Sequence, residues 1–311
     1  MANTRELRRR IRSVKNTSQI TKAMQMVAAT KMRKAQNQAV NGRPYSGNLL
    51  ELLIRLLPEI QAESHSLLGG KEIASSQTPR NDVIGVVVLS TDKGLVGALN
   101  TNIFRTISAL HLPGVNVNFY TIGKKGRSFV ARTGKDLQAD FENSDVVTFR
   151  QAKQLARMLM DAYLNKEIGE AYLVYPRFVS TLRQEATRVK VLPIELESVI
   201  ASEAKQPSPE TNPTKIVRTP RNDESGADFL IEPNPDELLD ELLTHFVEIR
   251  IYQALLETKA SEHSARMIAM QNATDNAKEL VGDLKLTYNQ TRQDAITREL
   301  LEITSAAAAL E

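Results

Sequence analysis

The sequence predicts an α/β protein with long helices: an antiparallel, left-handed coiled coil, made by the two ends of the chain, flanking a small α/β domain. Three observations carry this. Apolar or small residues recur in alternating steps of three and four from Leu239 to Tyr288. A second run of the same kind starts beside Thr4 and holds to Leu56. Between them lie short β-branched runs separated by helical ones, the pattern of strand–helix–strand crossovers.

The C-terminal segment is the clearest element. Between Asp236 and Leu310 it has no proline and a single glycine, Gly282. Its repeat runs through Leu239, Leu242, Phe246, Ile249, Leu256, Ala260, Met267, Met270, Ala277, Val281, Leu284 and Tyr288, with Gln253, His263 and Thr274 as the polar members. A seven-residue repeat held this long under-winds the helix into a left-handed supercoil. At 1.5 Å per residue the segment is roughly 110 Å long, so it needs a partner.

The N-terminal segment supplies one. Thr4 is suited to cap a helix whose repeat follows at Leu7, Ile11, Val14, Thr21, Ala28, Met32, Ala35, Ala39, Leu49, Leu53 and Leu56. Gly42 and Pro44 ordinarily end a helix, but the phase survives them, which predicts a kink with continuation. If the two helices run antiparallel and in step, residue 236 lies level with about residue 57 and residue 290 with about residue 4. Beyond 290 the last helix then has no partner in its own chain. Its repeat loses phase from Asn289 to Asp294 and resumes at Ile296, Leu300, Ile303, Ala307 and Leu310, as an inserted four-residue step would make it.

Between the helices, Val83–Ser90 is apolar up to its closing serine, as a strand buried on both faces is. Asn116–Ile122 and Ala171–Tyr175 are further strands, with helical periodicity over Asn102–Leu110 and Gln151–Leu164. Val189–Leu196, broken by Pro193, reads as an edge strand. The result is a small Rossmann-like domain with right-handed crossovers. The expected division is 1–57 for the first helix, 58–82 for a linker, 83–196 for the α/β domain, 197–228 for an insertion and 229–311 for the last helix. The insertion holds four prolines amid Ser, Thr, Glu and Lys, too few large apolar side chains to offset ordering entropy, so disorder is expected there.

Composition removes several kinds of chemistry. With no cysteine, thiolate catalysis, disulfides and cysteine zinc sites are excluded. No apolar run reaches the roughly 18 residues of a membrane span, and no signal-peptide core is present, which suits a soluble protein of a reducing compartment. The glycine turn Ser90–Asn100 follows a strand and precedes a helix, as phosphate loops do. It lacks both the Walker spacing and the three-glycine dinucleotide fingerprint, and Gly123-Lys124-Lys125-Gly126 is a weaker match still. His65, His111, His245 and His263 have no metal-ligand spacing. No cofactor, metal or catalytic residue is expected. Residues 1 to 43 hold eleven Lys or Arg against the single acid Glu6, without any aromatic side chain. A solvated face and a face opposed to an acidic protein both account for that charge; stacking of nucleic acid is not supported.

At these segments the chain resembles the γ-subunit family of bacterial F-type ATP synthases. The likeness lies in IRSVKNTSQITKAMQMVAATKMRKAQ from Ile11, LSTDKGLVGALN from Leu89, EPNPDELLDELL from Glu232, ARMIAMQNATDNA from Ala265 and TRQDAITRELLEITSAAAAL from Thr291. These follow the family's order, leaving out the stretches near 62–80 and 197–228. Ser305 stands where the family usually has Gly, and Val96 and Ala98 where it often has Cys and a second Gly. The resemblance implies a non-catalytic rotor inside a ring of three α and three β subunits, with its foot on ε and the membrane c-ring. It implies a peripheral place on the cytoplasmic face of the bacterial inner membrane, with catalysis in β. Met24, Arg266, Arg292, Gln293, Thr297, Glu299 and Glu302 match family positions at the rotor–stator contact, and Arg33 and Lys34 on the basic helix would face acidic loops of β. Two other readings fit parts of the sequence. An α/β nucleotide-dependent enzyme with a helical dimerisation arm would bind ATP or NAD alone; a basic coiled-coil nucleic-acid binder would lose affinity steeply with salt.

Overall fold

The computed structural model describes residues 4–56, 66–68, 83–109, 116–194 and 235–308. Two helices dominate: α1 (Thr4–Leu56) and the last helix, α5 (Pro235–Ala308). α1 runs unbroken through Gly42 and Pro44. Its buried positions Leu7, Thr21, Ala28, Met32, Ala35 and Ala39 keep the three-four step, and Met270, Thr274, Ala277 and Leu284 answer from α5. Three alanines on the α1 seam let the backbones approach closely. The Thr21 and Thr274 hydroxyls meet at 2.7 Å inside the seam, Gln253 donates to the Ala39 carbonyl oxygen at 3.4 Å, and Arg8 reaches the Tyr288 hydroxyl at 2.8 Å. These pairs lie in one antiparallel register, the one expected from the two sequence runs.

A five-stranded sheet sits at the root of the coil: β1 (Val83–Leu89), β2 (Asn116–Ile122), β3 (Asp136–Phe141), β4 (Glu170–Phe178) and β5 (Gln184–Leu192). Its order is β3-β2-β1-β4-β5, parallel except for the β4–β5 hairpin. Helices α2 (Leu99–Ser108) and α3 (Lys124–Arg132) cover one face, burying Ile103, Ile107 and Val130 against Val86, Val88 and Phe119. On the other face α4 (Phe149–Leu164) places Leu155 and Leu159 beside Val87, Leu89 and Leu173, together with Leu53 of α1 and Leu243, Ile251 and Leu256 of α5. Each such fully buried leucine or isoleucine contributes about 1.5–3 kcal/mol by leaving water. Burial on both sides is why β1 is apolar throughout.

Three elements depart from the sequence reading. β3 was not anticipated, because DLQADF lies at an open sheet edge where alternate residues stay exposed and no apolar run forms. The edge strand β5 starts at Gln184 rather than Val189 and stops before Pro193; its polar first half is only half-buried. Helix α3 was not anticipated either, since its nine residues are mostly polar and basic; Gly123 stands at its N-cap. The coil is also not a simple two-helix seam. Every residue from Ala254 to Ala265 is buried, because β4 and α4 cover the faces of α5 that α1 leaves open. The expected linker at 58–82 falls mostly, and the insertion at 197–228 wholly, outside the described residues, as does Leu310.

Gly123 closes the turn between β2 and α3 at φ +100°, where a Cβ would run into the Ser90 carbonyl group. Gly94 has neither a positive φ nor a neighbour within 4 Å of a Cβ. Gly123→Ala is therefore expected to cost more than about 2 kcal/mol, and Gly94→Ala less than about 0.5 kcal/mol, by chemical denaturation.

Candidate functional site

In a doubly wound sheet the ligand crevice lies beyond the strand ends where the winding reverses, here between β1 and β4. The loop from Ser90 to Ala98 occupies that place and spends its polar groups on its own fold. Three amides at the start of α3 are satisfied by it: Lys124 N–H donates to Asp92 Oδ1 at 2.9 Å, Lys125 N–H to the Thr91 carbonyl at 3.1 Å, and Gly126 N–H to Ser90 Oγ at 2.8 Å. Asn100 Nδ2 donates to Thr91 Oγ1 at 2.8 Å. Leu95 and Gly97 turn the chain at φ 63° and 58°, and Val96 and Leu99 then pack on Ala265 of α5. A phosphate at these amides would have to displace side chains already seated there. Among the described residues no group of three or more His, Asp or Glu is arranged to hold a metal ion.

The helices carry the residues singled out from the sequence. Met24 is half-buried, while Arg33 and Lys34 are exposed. Arg266 is held to its own helix, its Nη2 donating to Glu262 Oε1 at 2.8 Å. Arg292, Gln293, Thr297, Glu299 and Glu302 are all exposed on the far end of α5. The structure therefore makes two groups of them. Met24, Arg33, Lys34 and Arg266 lie midway along the coil, and the rest lie about 40 Å further along, at 1.5 Å per residue from Arg266 to Arg292.

Around the far group stands an apolar stripe. After Thr291 no described side chain of α5 is buried, and Ile296, Leu300, Leu301 and Ile303 are 48%, 57%, 61% and 60% exposed. A lesser patch on α1, Ile20, Met26 and Val27, is also more than half exposed. The helical period revealed Ile296, Leu300 and Ile303, but Ile20, Met26 and Val27 lie off the seam and gave no signal. The tie from Lys31 Nζ to Asp145 Oδ2, 3.0 Å long, was equally hidden, since 114 residues separate its ends.

Midway along the coil, beside the sheet, α5 buries charge. Lys259, Glu262 and His263 are each about 5% exposed. Glu262 takes Arg266 at 2.8 Å and Lys259 at 3.5 Å. Burial lowers the His263 pKa to about 4; Glu262 opposes that shift, and the cations Arg266, Lys259 and Lys31 assist it. The Asp145 carboxyl is lowered first by its bond from Lys31 and by that ion's charge. Desolvation raises the Tyr175 hydroxyl, with the Glu257 charge adding to it.

A family model described as ATP synthase matches residues 3–310. The chain is 44% identical over 315 residues to the ATP synthase gamma chain of Methylacidiphilum infernorum, covering 100% of both, and 38% identical over 307 residues to that of Opitutus terrae, covering 98% of both. Among solved structures it is similar to a chain of the Euglena gracilis mitochondrial ATP synthase, with TM-score 0.64 and 19% identity over 99% of this chain and 94% of that one. It is also similar to a chain of the central stalk and c-ring of the Tetrahymena thermophila mitochondrial enzyme, with TM-score 0.57 and 24% identity over 82% of this chain and 99% of that one.

The depressed His263 pKa fixes a sign for stability against pH. Below about 6.5 the unfolded chain takes up a proton that the folded chain refuses until about 4, so stability falls as pH drops through that window. The shift corresponds to a loss on the order of 3 kcal/mol at its acid end. His263→Gln should flatten the difference in melting temperature between pH 7 and pH 4.5 relative to the parent chain; equal slopes in the two proteins would contradict a buried neutral imidazole.

Proposed function

The chain belongs to the ATP synthase gamma chain family, and from that premise we propose that it is the torque-transmitting central shaft of a bacterial F-type enzyme. The overhang of α5 carries this reading. Among the described side chains of α5, Thr291 is the last that is half-buried, and from there to Ala308 the helix runs on for about 26 Å. Exposed apolar stripes of this kind mark interaction surfaces. A ring of three α and three β subunits supplies a sleeve, and Arg292, Gln293, Thr297, Glu299 and Glu302 are the side chains placed to meet it. Lower down, Met24 and Arg266 lie at the coil, and the exposed Arg33 and Lys34 offer positive charge to acidic loops of β.

The globular domain is the foot, resting on ε and the c-ring. The chain itself performs no chemistry on this reading; nucleotide hydrolysis and synthesis belong to β. No helix of the described residues is long and apolar enough to cross a membrane. Its attachment is accordingly peripheral and indirect, through the c-ring at the cytoplasmic face of the inner membrane.

Amide exchange tests the overhang. From residue 296 onward the isolated chain should exchange fast and the chain in the assembled ring slowly; strong, equal protection in both would refute the sleeve. A second measurement addresses the charged face. Arg33→Glu with Lys34→Glu should leave the melting temperature of the isolated chain unchanged and lower the ATPase rate of the assembled complex, most visibly at low salt, where screening is weakest. Unaltered activity at low salt would remove electrostatic contact from the proposal.

A further inference from the structure

The sheet is tied to the coil by directional polar bonds at one level and from both of its edges. At the β4–β5 edge, Ser261 and Ser264 of α5, both fully buried, donate from Oγ to the carbonyl oxygens of Pro176 at 2.7 Å and Thr181 at 2.6 Å. Gln184 Nε2 braces the same hairpin, donating to the Thr181 carbonyl at 3.0 Å and to Ser264 Oγ at 3.3 Å. At the β3 edge, Asp145 in the loop before α4 accepts from Lys31 Nζ of α1 at 3.0 Å. The register that sets Thr21 against Thr274, and Ala39 against Gln253, puts Lys31 level with residues 261–264.

The shared core of the sheet and both helices resists separation and gross sliding, but its contacts are non-directional and leave small angular play. Hydrogen bonds weaken steeply once their angle is lost and do oppose shear. Serine is suited to that load, since one rotatable bond separates its oxygen from the helix backbone. One attachment point leaves a domain free to swivel; two, on different helices and opposite sheet edges, do not. We infer that Ser261 and Ser264 at one edge and the Lys31–Asp145 pair at the other form a torsional clutch that locks the globular foot to the shaft. The exposed ion pair contributes little energy, so the buried serine bonds carry the larger share of the lock and the pair fixes its second point. This rests on the rotor reading above and names the positioning residues through which that rotor carries load.

The test uses the complete ATP synthase assembled with this chain in vesicles, with Ser261→Ala, Ser264→Ala and Asp145→Asn combined. ATP hydrolysis should persist, ATP-driven ion pumping per ATP should fall, and the angular fluctuation of a bead on the globular domain should widen. Fluctuation and pumping equal to the parent complex would overturn the clutch. To separate this from a loosened fold, Lys31→Cys and Asp145→Cys are added to the two serine variants and joined by a short bismaleimide, the chain having no other cysteine. Cross-linking should narrow the fluctuation again; a persistently wide one would also overturn the clutch. A parent complex that hydrolyses ATP without turning the bead would overturn the rotor reading, and the clutch with it.

Discussion

Everything in this molecule depends on the register of its two terminal helices. The chain enters the globular domain along one helix and leaves it along the other, so a slip of one heptad would displace α5 against the sheet that it also helps to cover. The seam prevents this with few residues. Alanines at 28, 35 and 39 allow close approach, and one hydroxyl pair, Thr21 with Thr274, marks a single alignment. Such a polar layer specifies register at some expense in stability. Here the expense is small, since whichever hydroxyl accepts across the seam can donate to a carbonyl of its own helix, Thr21 to Ser18 or Thr274 to Met270.

The α/β domain shows how a nucleotide-type fold is turned to mechanical use. Its topology creates the usual crevice at the β1–β4 reversal, but Ser90, Thr91 and Asp92 satisfy the amides that a phosphate would otherwise take. The loop then leans on α5 through Val96 and Leu99. Fold alone would have argued for a ligand; the individual hydrogen bonds argue for a rigid joint, and function follows the site rather than the fold.

Burying ions is costly unless each finds partners. Glu262 meets that condition at one oxygen through Arg266, at the other only through the charge of Lys259 3.5 Å away, and His263 meets it by staying neutral. The stretch Ala254–Ala265 must face α1, α4 and the β4–β5 hairpin at once, so no side of it remains for solvent. Small polar residues there reach backbone carbonyls that apolar residues would leave unsatisfied, as Ser261 does for Pro176.

The sequence by itself determined the coil, its antiparallel register, the overhang past residue 290 and the buried central strand, because each is a periodic or continuous apolar pattern set by local geometry. It also excluded cysteine chemistry by composition. Only the tertiary structure decided the rest. β3 and the first half of β5 lie at sheet edges, where pairing with a neighbour, not burial, makes the strand, and pairing leaves no mark in a single sequence. The Lys31–Asp145 tie and the serine bonds to the hairpin join residues more than 80 positions apart, and neither partner alone differs from an ordinary surface lysine or helical serine. The candidate contact residues were named through family resemblance; it took the fold to divide them between the middle of the coil and the overhang of α5, because that division depends on how far α1 covers α5.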